Sequence, residues 1–241
     1  MLEAFTIDDG ASHGVSELKQ PKDMAKTKRS DPIKILFVGN SFSQRNNLPG
    51  LLAEMAAERN LSVKPKLISA GGASLRTHFN AGRAATAIAT GNYDYVVLQE
   101  QSTLPVKNAS RMAENVRLFD EAIKQAGSKT VLYMTWARKH APEAQQAIAK
   151  AYTTIGKELG AIVVPVGLAW QSFLSTHDLP VLHDRDQSHP TLAGSYLAAC
   201  VFLAFLLKLN PIGIKSVAAG LNEHDALILQ TVAWEQFRPR K

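Results

Sequence analysis

Three side chains of the sequence could together perform acyl transfer: one serine early in the chain, and an aspartate and a histidine late in it. Ser41 follows the apolar run Ile33–Val38, and Asp186 precedes His189 by three residues. A carboxylate at that spacing in a turn can accept a hydrogen bond from the histidine Nδ1–H and fix its tautomer. Nε2 can then take the proton of a serine hydroxyl that attacks an ester carbonyl.

Each of these residues also has a purely structural role open to it. Ser41 or Ser43 could cap the next helix, as serines after strands often do. The segment Asn47-Leu48-Pro49 offers that helix a better cap, which leaves Ser41 free. Asp186 or Ser188 could likewise cap the later helix from a solvated acidic loop.

Other segments supply candidate hydrogen-bond donors for the oxyanion that acyl transfer creates. The pair Gly71-Gly72 follows a second predicted strand and can turn backbone N–H groups toward Ser41, although it could be an ordinary turn. Gln99 and Gln101 follow a third predicted strand. In extended backbone their side chains should lie on the same face, and the side chain of Glu100 between them on the opposite face. Trp136 ends a fourth predicted strand and is either a pocket wall or a packing residue.

The elements that would position these residues alternate between short apolar runs and amphipathic stretches. Strands are predicted at 33–38, 62–69, 93–98, 130–135 and 161–166, and helices at 75–90, 110–126, 142–159 and 190–209. This alternation predicts an α/β fold: a three-layer α/β/α sandwich around a five-stranded parallel sheet, flavodoxin-like in architecture. Pro65 favours an edge position for the second strand. In such a sheet Ser41, Gly72, Gln101 and His189 would meet at the carboxyl ends of the strands.

Length and composition predict one folded domain. The chain has 241 residues, 46% of them hydrophobic, and we expect a flexible N-terminal arm at 1–30 followed by a domain at 31–241. Gly10–Gly14 in the arm matches the G-x-S-x-G nucleophile motif but lacks the buried strand and the helix that this motif needs. Cys200 is predicted to be a small buried hydrophobic residue.

Charge and hydropathy argue against several other classes of protein. The net charge of +6 comes largely from the arm and the last four residues rather than from a basic face, so no nucleic-acid partner is expected. The longest apolar run, Leu197–Leu207, has 11 residues, too few to span a bilayer. With no secretory signal pattern either, the sequence predicts a cytoplasmic protein without a membrane partner. No suitably spaced metal-ligand set or phosphate-binding glycine motif occurs, so no metal and no cofactor are expected.

The sequence resembles the SGNH (GDSL-like) hydrolase superfamily in the order and spacing of its conserved blocks. The motifs that carry this resemblance are Val38–Ser43, Gly71-Gly72 and Asp186-x-x-His189-Pro190. The resemblance spans about 33–209. It implies that Ser41 is the nucleophile, His189 the general base and Asp186 the residue that orients it. It also implies an oxyanion hole formed by the N–H groups of Ser41 and Gly72 and by one side-chain amide.

Two positions depart from the usual pattern of that superfamily. Asn40 replaces the usual aspartate, as in sequences resembling its esterase branches, and is a candidate pocket residue together with Trp136. Gln99-Glu100-Gln101 replaces glycine-x-asparagine, which makes Gln101 the expected amide donor and Gln99 the alternative. The resemblance implies a serine esterase for a small ester, commonly an acetyl group on a carbohydrate. The alternative is a catalytically inactive ligand-binding protein of the same fold.

Overall fold

The computed structural model of the protein describes residues 31–215 and 220–238. The predicted arm and its Gly10–Gly14 motif lie outside the described residues and stay predictions. Within the described ranges the chain forms one sheet, whose strands are Ile33–Gly39 (β1), Val63–Ser69 (β2), Tyr95–Leu98 (β3), Lys129–Tyr133 (β4) and Ile162–Val164 (β5).

The sheet is parallel throughout and has the order β2-β1-β3-β4-β5. The register aligns the ends of the first three strands, because Gly39 lies opposite Ser69 and Val38 lies opposite Leu98. The loops that follow these strands therefore emerge side by side. The predicted three-layer fold is confirmed, and β2 occupies the edge that Pro65 indicated.

Helices connect the strands and cover both faces of the sheet. In chain order they are Ser41–Gln44 (α1), Leu48–Glu58 (α2), Leu75–Asn80 (α3), Arg83–Gly91 (α4), Leu104–Lys107 (α5), Ala109–Gln125 (α6), Ala144–Leu159 (α7), Val166–Leu174 (α8), Leu192–Phe205 (α9) and Glu223–Phe237 (α10). A short 3₁₀ turn, Arg45–Asn47, joins α1 to α2.

Two apolar clusters, one on each face, hold the layers together. One contains buried residues of α2, α8, α9 and α10, and the other contains those of α3, α4, α6 and α7. Helix α9 is buried from Ala193 to Ala204, which explains why its sequence is apolar on every side. No described helix is both long and apolar enough to cross a membrane.

The predicted helix 75–90 is in fact two helices. Gly82 adopts a φ of +71° between α3 and α4, a left-handed conformation that ends one helix and turns the chain into the next. Helix α8 begins where the fifth strand was expected to continue, because Pro165 precedes its first turn. Helix α10 was not predicted.

Candidate active site

Ser41 is held at the carboxyl end of β1 by the residues just before it. The side chain of Asn40 accepts a hydrogen bond from the backbone N–H of Phe42 at 3.1 Å and so caps α1. Ser41 is the first residue of α1 rather than its cap. Asn47 caps α2 by accepting from the Gly50 N–H at 3.3 Å, as predicted.

Gly39 is required here for space, because its backbone φ is one that any residue could adopt. A Cβ at this position would lie 2.6 Å from Gln99 Oε1 and 2.7 Å from Ser43 Oγ. Gln99 Oε1 accepts hydrogen bonds from the Asn40 N–H at 2.9 Å and from the Ser43 hydroxyl at 3.0 Å. The absence of a side chain at Gly39 therefore lets Gln99 fix the backbone just before Ser41.

His189 is placed by a short turn whose two sides are hydrogen-bonded to each other. The Asp184 N–H donates to the His189 carbonyl at 2.8 Å, and the Thr191 N–H donates to the Leu182 carbonyl at 2.9 Å. Within the turn, Asp186 Oδ1 accepts the backbone N–H of His189 at 2.9 Å. The turn therefore fixes the position of the imidazole relative to the carboxylate.

The three predicted catalytic side chains form one hydrogen-bonded chain. His189 Nδ1 donates to Asp186 Oδ2, so Nε2 carries the lone pair and accepts from the Ser41 hydroxyl at 2.8 Å. The hydrogen bonds from the His189 side chain and backbone hold the pKa of Asp186 well below its usual range. The carboxylate therefore stays ionised and can stabilise an imidazolium.

Further contacts connect the serine loop and the histidine loop directly. Arg45 pairs with Asp184 at 2.5 Å. The Asn46 side-chain amide donates to the Thr191 carbonyl at 3.0 Å and to Ser195 Oγ at 2.9 Å. These contacts keep two segments about 150 residues apart in sequence within hydrogen-bonding distance.

A cavity of about 160 Å³ opens beside Ser41 and His189, and Gly72 and Gln101 also line it. Gly72 has a φ of +66°, and its backbone N–H has no acceptor among the described residues, nor has that of Ser41. The Gln101 side-chain oxygen accepts from Thr103 and Leu104, which leaves Nε2 as an unused donor among the described residues. The expected donors therefore share one cavity with the candidate nucleophile.

The alternative donor Gln99 does not reach this cavity. Its side chain is completely buried, and Nε2 donates to the Glu100 carbonyl at 2.6 Å. Gln99 is a support for Asn40, so the structure favours Gln101 for the amide position.

The two candidate pocket residues differ in their placement. Asn40 lines the cavity, but its side chain also donates to the Ala73 carbonyl at 3.1 Å and caps α1. Trp136 does not line the cavity beside Ser41. It stacks between Phe42 and Trp170, and its Nε1 donates to the Ser188 carbonyl at 3.0 Å. Trp136 is therefore chiefly a packing residue, which also forms a wall of a neighbouring cavity.

Sequence reasoning missed two residues near the site. Glu100 is completely buried and accepts from Leu75 N, Gln101 N and the Asn115 amide, which ties the start of α3 to the end of β3. Arg138 lines the cavity beside Ser41. For Glu100 the available signal was a charged residue just after a buried strand; Arg138 lies in the loop after β4, and its place at the cavity depends on the fold. The largest cavity described, about 560 Å³ between α6 and α7, lies away from this chemistry.

Comparison with solved structures identifies similar folds. A protein from Slackia heliotrinireducens, described as a proposed SGNH hydrolase, matches with a TM-score of 0.65 and 28% identity, over 73% of this chain and 100% of that one. A DUF4886 family protein from Bacteroides uniformis matches with a TM-score of 0.71 and 20% identity, over 85% and 94%. A variant of an acetyl xylan esterase from Geobacillus stearothermophilus matches with a TM-score of 0.54 and 17% identity, over 74% and 96%.

No protein-family model matches the sequence, and no curated protein does. The chain has the SGNH hydrolase fold, and its resemblance to the SGNH hydrolases is confirmed.

Proposed function

We propose that this protein is a serine hydrolase that cleaves small carboxylic esters through an acyl-enzyme intermediate. The observation that carries the proposal is the hydrogen-bonded chain from Ser41 Oγ through His189 to Asp186. In this proposal Ser41 is the nucleophile, His189 the general base and Asp186 the group that orients and stabilises the imidazolium.

The proposed reaction has two halves. The Ser41 hydroxyl gives its proton to His189 Nε2 while Oγ attacks the ester carbonyl carbon, and the carbonyl oxygen becomes an oxyanion. That oxyanion accepts hydrogen bonds from the N–H groups of Ser41 and Gly72 and from Gln101 Nε2. His189 then gives the proton to the leaving alkoxide, and the alcohol departs. In the second half, a water molecule gives a proton to His189 and attacks the acyl-enzyme carbonyl, and His189 then returns the proton to Ser41 Oγ. The acid is released and the serine is restored.

We propose an acetyl group as the acyl part of the substrate and a carbohydrate as the alcohol to test first. The cavity beside Ser41, about 160 Å³, is small and favours a short acyl group. Among the proteins of similar fold, those from Geobacillus stearothermophilus are described as an acetyl xylan esterase and an acetyl-xylooligosaccharide esterase. We retain the cytoplasmic location as part of the proposal.

The test is hydrolysis of 4-nitrophenyl acetate by the wild type, Ser41→Ala and Ser43→Ala. Ser43 is a matched control because its hydroxyl is two residues away and bonds to Gln99 rather than to His189. We expect Ser41→Ala to lower kcat by about 10³-fold or more while it remains folded, and Ser43→Ala to retain most activity. Equal activity in the wild type and Ser41→Ala would contradict the proposal. A folded wild type that turns over neither this ester nor acetylated sugars would favour the inactive ligand-binding alternative.

A further inference from the structure

Arg138 has a firmly held backbone although its side chain is exposed. The Ala137 N–H donates to Gln145 Oε1 at 2.8 Å, and the Ala137 carbonyl accepts from His183 Nε2 at 3.0 Å. On the other side, the Lys139 N–H donates to the Gln187 carbonyl at 2.9 Å. The loop is thus anchored to α7 and to the histidine loop, and the origin of the Arg138 side chain is fixed relative to His189.

Burial holds two of these anchors in place. Gln145 and His183 are both at least 95% buried. Burial lowers the pKa of His183, so it stays neutral and serves as a fixed hydrogen-bond donor to this loop. These side chains provide a rigid support for an arginine.

Arg138 lines three cavities, two of which also share Ser102. Of these two, one is the cavity beside Ser41 and His189, and the other, of about 240 Å³, is also lined by Trp136 and Lys107. Of the described residues, no aspartate or glutamate lines either of these two cavities, whereas Asp178 lines the third, of about 410 Å³. A molecule seated across the two that share Ser102 would therefore meet positive charge and no carboxylate in their linings.

The guanidinium of Arg138 also lacks a partner within 31–215 and 220–238, since it forms no hydrogen bond or ion pair with those residues. Several other arginines of the domain do pair with carboxylates: Arg45, Arg76, Arg111 and Arg117. An exposed arginine ordinarily serves solubility. Here its fixed origin, its place in the lining of the Ser41 cavity and the lack of a neutralising carboxylate together indicate a ligand group of opposite charge.

We infer that the substrate carries an anionic group, a carboxylate or a phosphate, which Arg138 binds while the ester lies against Ser41. This inference rests on the proposed function. The guanidinium suits such a group because its planar set of N–H donors matches the oxygens of a carboxylate or phosphate. Lys107 would add a second positive charge in the neighbouring cavity, and Trp136 an apolar wall between the two ends of the molecule.

The experiment compares matched aryl acetates that differ in charge: 3-acetoxybenzoate, 3-acetoxyphenyl phosphate and the neutral 3-acetoxybenzamide. The quantity measured is the ratio of kcat/KM for each anionic ester to kcat/KM for the neutral one, in the wild type and in Arg138→Gln. Because the same esters are used throughout, their intrinsic reactivities cancel between variants. We expect Arg138→Gln to lower the ratio by about tenfold to a hundredfold, the range for a lost charge-assisted hydrogen bond.

Lys139→Gln is the matched control. It removes the same charge from the next residue, whose side chain lines neither of the two cavities. Its ratio should stay within about twofold of the wild type, because an exposed charge outside the site is screened by salt. Arg138→Lys should retain part of the preference as a point charge. The ester with the larger ratio shows whether the group bound is a carboxylate or a phosphate.

The outcomes separate this inference from the proposed function. Hydrolysis that depends on Ser41 but shows the same ratio in the wild type and Arg138→Gln would overturn the inference and leave the esterase proposal intact. If no ester is hydrolysed, calorimetric binding of benzoate and phenyl phosphate to the wild type and Arg138→Gln decides. Weaker binding by Arg138→Gln would support an anion site, and equal or absent binding would overturn it.

Discussion

Removing the Gln101 side chain is expected to lower turnover far more than stability. The side-chain oxygen accepts from the Thr103 N–H and hydroxyl, each at 2.9 Å, and from the Leu104 N–H at 3.0 Å. These three bonds fix the amide so that Nε2 is the group available to the cavity. If Nε2 is one donor of the oxyanion hole, Gln101→Ala should lower kcat by about 10²–10³-fold, or roughly 2.7–4 kcal/mol of transition-state stabilisation.

The same substitution has a smaller structural cost. It removes the acceptor of the Thr103 N–H at the start of α5, whereas the Leu104 N–H keeps the Gln101 backbone carbonyl at 3.0 Å, and a loss of this kind costs about 0.5–2 kcal/mol. In a chain of this size each kcal/mol shifts the melting temperature by about 2–4 °C. The catalytic and structural effects of the substitution can therefore be measured separately, the first from kcat and the second from the melting temperature.

The assay measures kcat on 4-nitrophenyl acetate at saturating substrate, together with a thermal melt of every variant. Gln101→Glu keeps an acceptor for α5 but replaces the amide donor with a carboxylate oxygen, so we expect it to melt near the wild type and lose at least as much kcat. Thr103→Val removes the hydroxyl that donates to the Gln101 side-chain oxygen but leaves Gln101 Nε2 in place. Its kcat should therefore fall less than tenfold. A loss of kcat of less than tenfold in Gln101→Ala would refute the role of Gln101 in the oxyanion hole, which would then be formed by backbone N–H groups alone.

Two further predictions concern stability around the site. The folded-state pKa of Asp186 lies below its ordinary 3.8, so its stabilising contribution is present above that value and is lost as the pH falls through the folded-state pKa. Melts of the wild type and Asp186→Asn should therefore differ at about pH 6, and the difference should shrink progressively once the pH falls below 3.8; a difference that stays constant on acidification would contradict this linkage. Gly39→Ala would place a Cβ 2.6 Å from Gln99 Oε1, so it should lower the free energy of unfolding by about 1–3 kcal/mol, and an unchanged urea midpoint would contradict the tight packing.

Most of the fold could be predicted because the strands are short apolar runs that end in turn residues. Pro65 located the edge strand, since a proline cannot donate in a central ladder. The break at Gly82 was missed because an isolated glycine inside a helical pattern does not reveal the sign of its φ. The extent of the fifth strand was overestimated because Pro165 and Val166 continue its apolar pattern while starting α8.

The candidate site could be predicted where spacing alone decides geometry. Asp186 and His189 share one turn, so their hydrogen bond follows from a separation of three residues. Gln101 was the expected amide donor, but Gln99 stayed open as the alternative, because the decision depends on which side chain the Asn40 backbone N–H uses as its acceptor. Arg138 was missed for a similar reason: its significance depends on a cavity formed by segments far apart in sequence.

The most direct test of the central claim is covalent labelling of Ser41. A fluorophosphonate reacts with a serine whose hydroxyl is activated by a neighbouring base, and mass spectrometry identifies the labelled residue. We expect one adduct on Ser41 in the folded wild type, none in Ser41→Ala, and much slower labelling in His189→Ala. Absence of an adduct in the folded wild type, or equal labelling of Ser41 in His189→Ala, would contradict an activated Ser41–His189–Asp186 triad.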